Sequence, residues 1–207
     1  QAQFAQPVGI TWDPVAHHLL VSDSVAGAIF VFDGQGPCPN TISDGPYQRP
    51  VGLVVDPAPE NAGRIFVADA GAHQVFVLAA DGRLLQRLGT RGTGPGQFNY
   101  PTNVALDARG LLYVSDSLNF RVQEFDQKLH FVRAIGHKGD MPGCFAEPKG
   151  IATDSQGHVY VLDGQFENVQ IFDADGNVLM DFGQEGNGPG EFWLPTGIFI
   201  DAHDRIW

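Results

Sequence analysis

One seven-residue pattern recurs five times along this chain and limits what it can fold into. It begins at Pro7, Pro50, Pro101, Pro148 and Pro195 and closes on Asp13, Asp56, Asp107, Asp154 and Asp201. The last three copies stand 47 residues apart; the two earlier steps are 43 and 51. A second run also ends in Asp, at Asp23, Asp69, Asp116 and Asp163. A third run starts at Ile29, Val75, Val122 and Val169, and a fourth precedes Gly89, Gly136 and Gly183. Each run has five or six residues rich in Val, Ile, Phe and Tyr, bounded by Asp, Gly or Pro, which is the length and composition of a strand.

Four short strands in a period of forty-odd residues describe one blade of a β-propeller. A lone four-stranded sheet cannot bury both of its faces, whereas sheets stacked radially cover one another. That explains runs such as Val-Tyr-Val-Leu, apolar throughout instead of alternating. The chain shows no sustained 3.6-residue pattern for helices. The expectation is an all-β chain, a single propeller domain over 1–207 of four-stranded antiparallel blades. The repeats fall at approximately 4–46, 47–97, 98–144, 145–191 and 192–207: four full blades and part of a fifth.

Composition removes several function classes. The formal net charge is −12 with 12 basic residues scattered along the chain, which speaks against a nucleic-acid partner, since such binding relies on clustered Lys and Arg. No stretch of 18 apolar residues offers a helical membrane span. Cys38 and Cys144 form neither a zinc ribbon nor a haem-attachment motif, and their loops lie too far apart in the repeat for a disulfide to reach.

Residues 98–136 carry a resemblance to a known family. They include Pro101-Thr-Asn-Val-Ala, Leu112-Tyr-Val-Ser-Asp116 and Asn119-Phe-Arg121-Val122, and Gly92-Thr-Gly-Pro-Gly-Gln-Phe98 stands before them. Together these resemble the NHL repeat, and the chain looks most like bacterial six-bladed NHL proteins. Gly186 to Phe192 repeats the glycine-rich connection; Gly139 to Phe145 is looser. The resemblance implies six blades in a complete ring. By register this chain stops inside the second strand of the fifth, so the expectation is a partial chain lacking roughly 80 residues. Those C-terminal residues, or strand addition by another chain, would complete the ring. Export of such bacterial proteins implies a periplasmic or extracellular location.

Propeller topology sorts the loops onto two faces. One carries Asp13, Asp56, Asp107, Asp154 and Asp201, together with Asp33, Asp81, Asp126, Asp173 and Asp175. Turn sequences such as Asp107-Ala-Arg-Gly110 read as Asx-turns; calcium or a basic partner is the functional alternative, without EF-hand spacing to support it. The other face carries the glycine-rich connections and the turns after each second strand, and the resemblance implies that ligands bind there. Its candidates are His73, Asn119, Phe120, Arg121, Gln165, Phe166, Glu167 and Asn168, with Thr102, Asn103 and Lys149 after the leading prolines and Trp193 after a connection. Phe98, Phe145 and Phe192 repeat in register and read as packing between blades, whereas Phe120, Phe166 and Trp193 do not repeat so strictly and read as interface residues. The Asp closing each second strand reads as a hydrogen-bond anchor for backbone amides.

No catalytic constellation repeats. The seven histidines do not gather into the three-ligand set that catalytic zinc requires, and the sequence supports no cofactor, neither Ca²⁺ nor Zn²⁺. The functional expectation is a non-catalytic binding scaffold whose glycine-rich-loop face meets a protein partner or small ligand. The alternative is a metal-dependent lyase, or a lactone or ester hydrolase, using the central channel.

Overall fold

The computed structural model describes residues 4–34, 40–42, 45–58, 61 and 63–207. Four antiparallel four-stranded sheets follow chain order. Blade 1 holds β1 (Pro7–Asp13), β2 (His18–Asp23), β3 (Ala28–Phe32) and β4 (Asn40–Ile42). Blade 2 holds β5 (Pro50–Val55), β6 (Ile65–Asp69), β7 (Gln74–Leu78) and β8 (Leu84–Leu88). A short parallel pair follows, β9 (Thr90–Arg91) with β10 (Gln97–Phe98). Blade 3 holds β11 (Pro101–Leu106), β12 (Leu112–Asp116), β13 (Arg121–Phe125) and β14 (Phe131–Ile135). Blade 4 holds β15 (Pro148–Thr153), β16 (Val159–Asp163), β17 (Asn168–Phe172) and β18 (Val178–Phe182). These are the strands the repeat predicts. The short β4 completes the first of the four full blades expected, and the two strands of the β9–β10 ladder, inside a glycine-rich connection, are the ones no run announced.

Packing divides the chain into two compact units, Gln1–Val104 and Ala105–Trp207. In the first, blades 1 and 2 bury Leu20, Ile29, Leu53, Ile65, Val67 and Phe76 together. In the second, Tyr113, Val122, Phe145, Ile151, Val161 and Phe172 form the core. Every residue of β6 and of β12 is buried, as expected of strands covered on both faces. Phe98 and Phe145 have no exposed surface, and Phe145 lies 5.7 Å from Phe172, ring to ring. Cys144 is buried and free; Cys38 lies outside the described residues.

The glycine of the Pro-x-Gly start answers to close backbone approach. A Cβ on Gly9 would strike the Val51 carbonyl of β5, and one on Gly150 would come within 3.2 Å of the Gly197 backbone. Blade 3 has Asn103 there instead, its side chain lying over Gly52. The Asp residues at the ends of the first and third strands make the expected Asx-turns. Asp107 Oδ1 accepts from Arg109 and Leu111, Asp154 Oδ1 from Gln156 and His158, and Asp173 Oδ1 from Asp175 and Asn177, all at 2.8–2.9 Å. At the C-terminus, Phe199 and Trp207 exchange backbone hydrogen bonds at 3.0 and 2.8 Å, 47 residues on from the Ala152–Tyr160 pair of blade 4. No helix among the described residues is long and apolar enough to cross a membrane.

Candidate functional site

The turn end of each blade is organised by the Asp that closes its second strand. Asp23, Asp69, Asp116 and Asp163 have no exposed surface. Asp163 accepts from the backbone N–H groups of Ala146, Glu147, Gln165 and Phe166 at 2.8–3.1 Å. Asp69 accepts from Gln48, Arg49 and Ala72, and Asp23 from Ala5, Gln6, Val25 and Ala26. Each carboxylate so clamps the approach to the first strand against the turn after the second. Burial pushes the Asp23 carboxyl up, but the four amide donors outweigh it and hold it below its ordinary value. Asp116 works with side-chain donors: Asn119 Nδ2, Arg121 Nε and Gln123 Nε2 reach its Oδ2 at 2.8, 2.9 and 3.0 Å.

Four residues after each of these Asp residues the turn enters the left-handed region, at Gly27, His73, Phe120 and Glu167, with φ between 53° and 60°. Non-glycine residues there are strained, and two carry side chains that tie the turn onward. His73 Nδ1 accepts from Tyr100 N–H at 3.0 Å, and Glu167 Oε1 accepts from Leu194 N–H at 2.9 Å. Phe120 instead packs half-buried on the core of the second unit, with Lys138 Nζ 4.9 Å from its ring centroid.

The remaining candidates separate. Thr102 and Asn103 are half-buried in the first unit, where Asn103 Oδ1 accepts from Val104 N–H. In the second unit Lys149 pairs with Glu147 at 3.2 Å and lies across Gly164. Gln165 and Trp193 are exposed.

Phe166 and Asn168 come together in a cleft of about 220 Å³ on blade 4, with Asp140, Met141, Pro142, Gln170 and Asp181. Two substitutions in the repeat open it. In the glycine-rich connections, Gln97 and Glu191 tie the loop internally by accepting from Gly94 and Gly188 N–H. The same place in the intervening copy is Cys144, which lacks a carbonyl acceptor. Gln170 of β17 holds that loop instead, accepting from Gly143 N–H and donating to Cys144 C=O, both at 2.7 Å. The second change is at the start of the third strand. Gln74 there reaches the Gly89 carbonyl at 2.8 Å and Arg121 reaches Asp116, but Asn168 is shorter, and its buried Oδ1 has no hydrogen-bond partner among the described residues. Gln170 and Asp181 are cross-strand partners, so both face the cleft. Asp140 and Asp181 are exposed, and neither is in an ion pair among the described residues.

Sequence reading found Phe166 and Asn168 but missed Asp140, Met141, Gln170 and Asp181. The signal was present in the looser Gly139–Phe145 connection, where Met141 replaces the glycine that the other two copies share and Cys144 replaces the long acceptor side chains Gln97 and Glu191.

The family described as 6-bladed beta-propeller matches residues 59–118 and 152–207, more than half of the chain. NHL repeat-containing protein 3 of Mus musculus is 30% identical over 130 residues, 60% of this chain and 36% of that protein. A virginiamycin B lyase from Staphylococcus aureus, solved with quinupristin, superposes with a TM-score of 0.74 at 14% identity, covering 100% of this chain and 64% of the lyase. A gluconolactonase from Xanthomonas campestris gives 0.74 at 18% identity, covering 99% of this chain and 70% of that one. The chain thus spans about a third of the mouse relative's length and under two thirds of the lyase's.

Proposed function

The chain belongs to the 6-bladed beta-propeller family, with NHL-type repeats, and on that premise we propose that it is a non-catalytic binding scaffold whose turn-and-connection end receives a protein partner. The observation behind this reading is the blade 4 cleft. Its walls come from a connection and a turn that depart from the repeat, while the Asp163 clamp beneath them is kept. Rigid blades that fix loop positions while loop sequences vary suit recognition.

The size of the cleft favours a protein over a free small molecule. Sites that engulf a small ligand measure roughly 300–1,000 Å³, and about 220 Å³ suits one side chain of a larger partner. Phe166 supplies an aromatic wall, and aromatic residues dominate interface energetics. The lyase and gluconolactonase likenesses stand at 14% and 18% identity; they are likenesses of fold and add no residue-level support to an enzymatic reading.

Selection of a random displayed peptide library on the chain tests the proposal. Enriched peptides should lose roughly tenfold or more in affinity on Phe166→Ala, the size of an interface anchor. The variant should keep the parent's thermal transition. Selected peptides that bind the variant as tightly as the parent would show that the partner surface lies elsewhere.

A further inference from the structure

We propose that the blade 4 cleft is an anchor site for an arginine side chain of the partner, an inference that rests on the binding reading above and names its ligand chemistry. The repeat itself supplies the comparison. At the register position of Asn168, blade 3 has Arg121, whose guanidinium Nε lies 2.9 Å from Asp116 Oδ2 with only 14% of its side chain exposed. At the register position of Gln170 it has Gln123, on the same carboxylate. Blade 3 therefore keeps its own guanidinium at this place in the blade. Blade 4 has lost that cation: its counterpart of Asp116, Asp163, is held by backbone amides, and Asn168 stands in place of the arginine.

Three features make the vacated space selective for a cation. Asn168 Oδ1 is a buried acceptor with no donor among the described residues, and a buried polar group left without a partner is costly until something donates to it. Asp140 and Asp181 add two carboxylates to the lining. Asp181 stands where blade 2 has Arg87 and blade 3 has Ala134, as their pairings with Phe76 and Gln123 show, so its negative charge belongs to this blade alone. Phe166 adds a ring face, on which a planar guanidinium stacks. Arginine fits this set because it is permanently charged and offers several N–H donors in one plane, enough to serve an amide oxygen and a carboxylate together. The charge of the whole chain, −12, draws a basic partner in the same sense.

The test uses the isotope-labelled 207-residue chain at low ionic strength. It is titrated with a capped pentapeptide carrying one arginine between glycines, and with the same peptide carrying uncharged, isosteric citrulline. The side-chain amide resonances of Asn168 and Gln170 are followed. The arginine peptide should shift both resonances saturably. The citrulline peptide should need a roughly tenfold higher concentration, and Asp181→Asn should weaken the arginine peptide several-fold. Asn168→Arg, which restores the blade 3 arrangement, should abolish binding; Asn168→Gln, as at Gln74, fills the same space without charge should the first variant not fold. Equal binding of arginine and citrulline peptides would overturn the cationic assignment while leaving the cleft as a binding site. Silence of both resonances toward either peptide up to about 10 mM, a very weak affinity, would remove the cleft as an anchor, while the displayed-peptide selection would still judge the wider surface.

Discussion

His73 Nδ1 accepts the backbone N–H of Tyr100 at 3.0 Å, and both residues stand at positive φ, 55° and 63°. Ninety-four residues on, two repeat lengths, Glu167 and Leu194 repeat the arrangement at 53° and 48°. Imidazole and carboxylate differ in shape and charge, and at this position both accept a backbone hydrogen bond, so acceptance is what the position requires. In each pair the second residue precedes a proline, which ordinarily pushes its neighbour toward extended backbone. The tie satisfies the amide of a residue held out of that preference.

Removing the acceptor should therefore cost stability without touching the core. His73→Phe should lower unfolding free energy by about 1 kcal/mol, the usual net worth of one such bond. The midpoint of urea unfolding should fall while the slope stays constant. Because Nδ1 accepts, the ring proton sits on Nε2, and nitrogen NMR of the His73 ring should find that tautomer.

The Asp clamp should matter far more than the Asx-turns. Asp163→Ala would take away the fully buried carboxylate that accepts from the backbone amides of Ala146, Glu147, Gln165 and Phe166, and each hydrogen bond to a charged group is worth about 1.5–3 kcal/mol. A loss of at least about 3 kcal/mol is expected by that measure, enough to leave much of the protein insoluble. Asp81 caps an exposed turn through Arg83 N–H alone, and Asp81→Ala should cost under about 1 kcal/mol. Chemical denaturation of the two variants side by side checks the ranking; similar losses would mean that Asp163 is no clamp.

The strands, their order and the terminal Phe199–Trp207 pairing were legible because blade stacking forces one hydrophobic pattern to recur at one spacing. The Asp clamp was legible for the same reason. The cleft was only half legible. Phe166 and Asn168 depart visibly from the Asn119-Phe-Arg121 turn, but Gln170 and Asp181 look like ordinary strand residues. Their meaning comes from the Cys144 substitution, which sends Gln170 to hold a neighbouring loop, and from a cross-strand pairing that turns Asp181 the same way. Such compensation depends on three-dimensional proximity, which periodicity alone does not reveal.

The carboxylates set the acid limit. Burial pushes Asp154 up, but hydrogen bonds from the His158 side chain and backbone and from Gln156 N–H win, holding it below its ordinary 3.8; Asp23 is lowered in the same direction. A carboxyl lowered in the fold contributes stability that is complete above its unfolded value and is lost as pH falls through the folded one. Thermal stability should hold from neutral pH to about 5 and drop steeply below about 4. Asp154→Asn keeps the amide acceptor but loses the charge, so its deficit should be clear at pH 6 and shrink at pH 3.

Glu124 should behave in the opposite sense. Burial raises its carboxyl, and Arg133, 3.0 Å away, pulls it back only in part. A carboxyl raised in the fold opposes folding while ionised, and the penalty is relieved as pH falls through its folded value. Arg133→Met removes the compensating charge from a carboxylate that is only 2% exposed. Breaking a fully buried pair costs about 3–5 kcal/mol; Arg133 is one-third exposed, so about 2 kcal/mol at pH 7 is the expected loss. The gap between variant and parent should narrow on acidification to pH 4.5, as Glu124 takes up its proton. Adding Glu124→Gln to Arg133→Met should remove that pH dependence, because no buried carboxyl remains to titrate. Urea unfolding at the two pH values measures both effects, and a gap that stays constant or widens on acidification would show that Glu124 is not the group responsible.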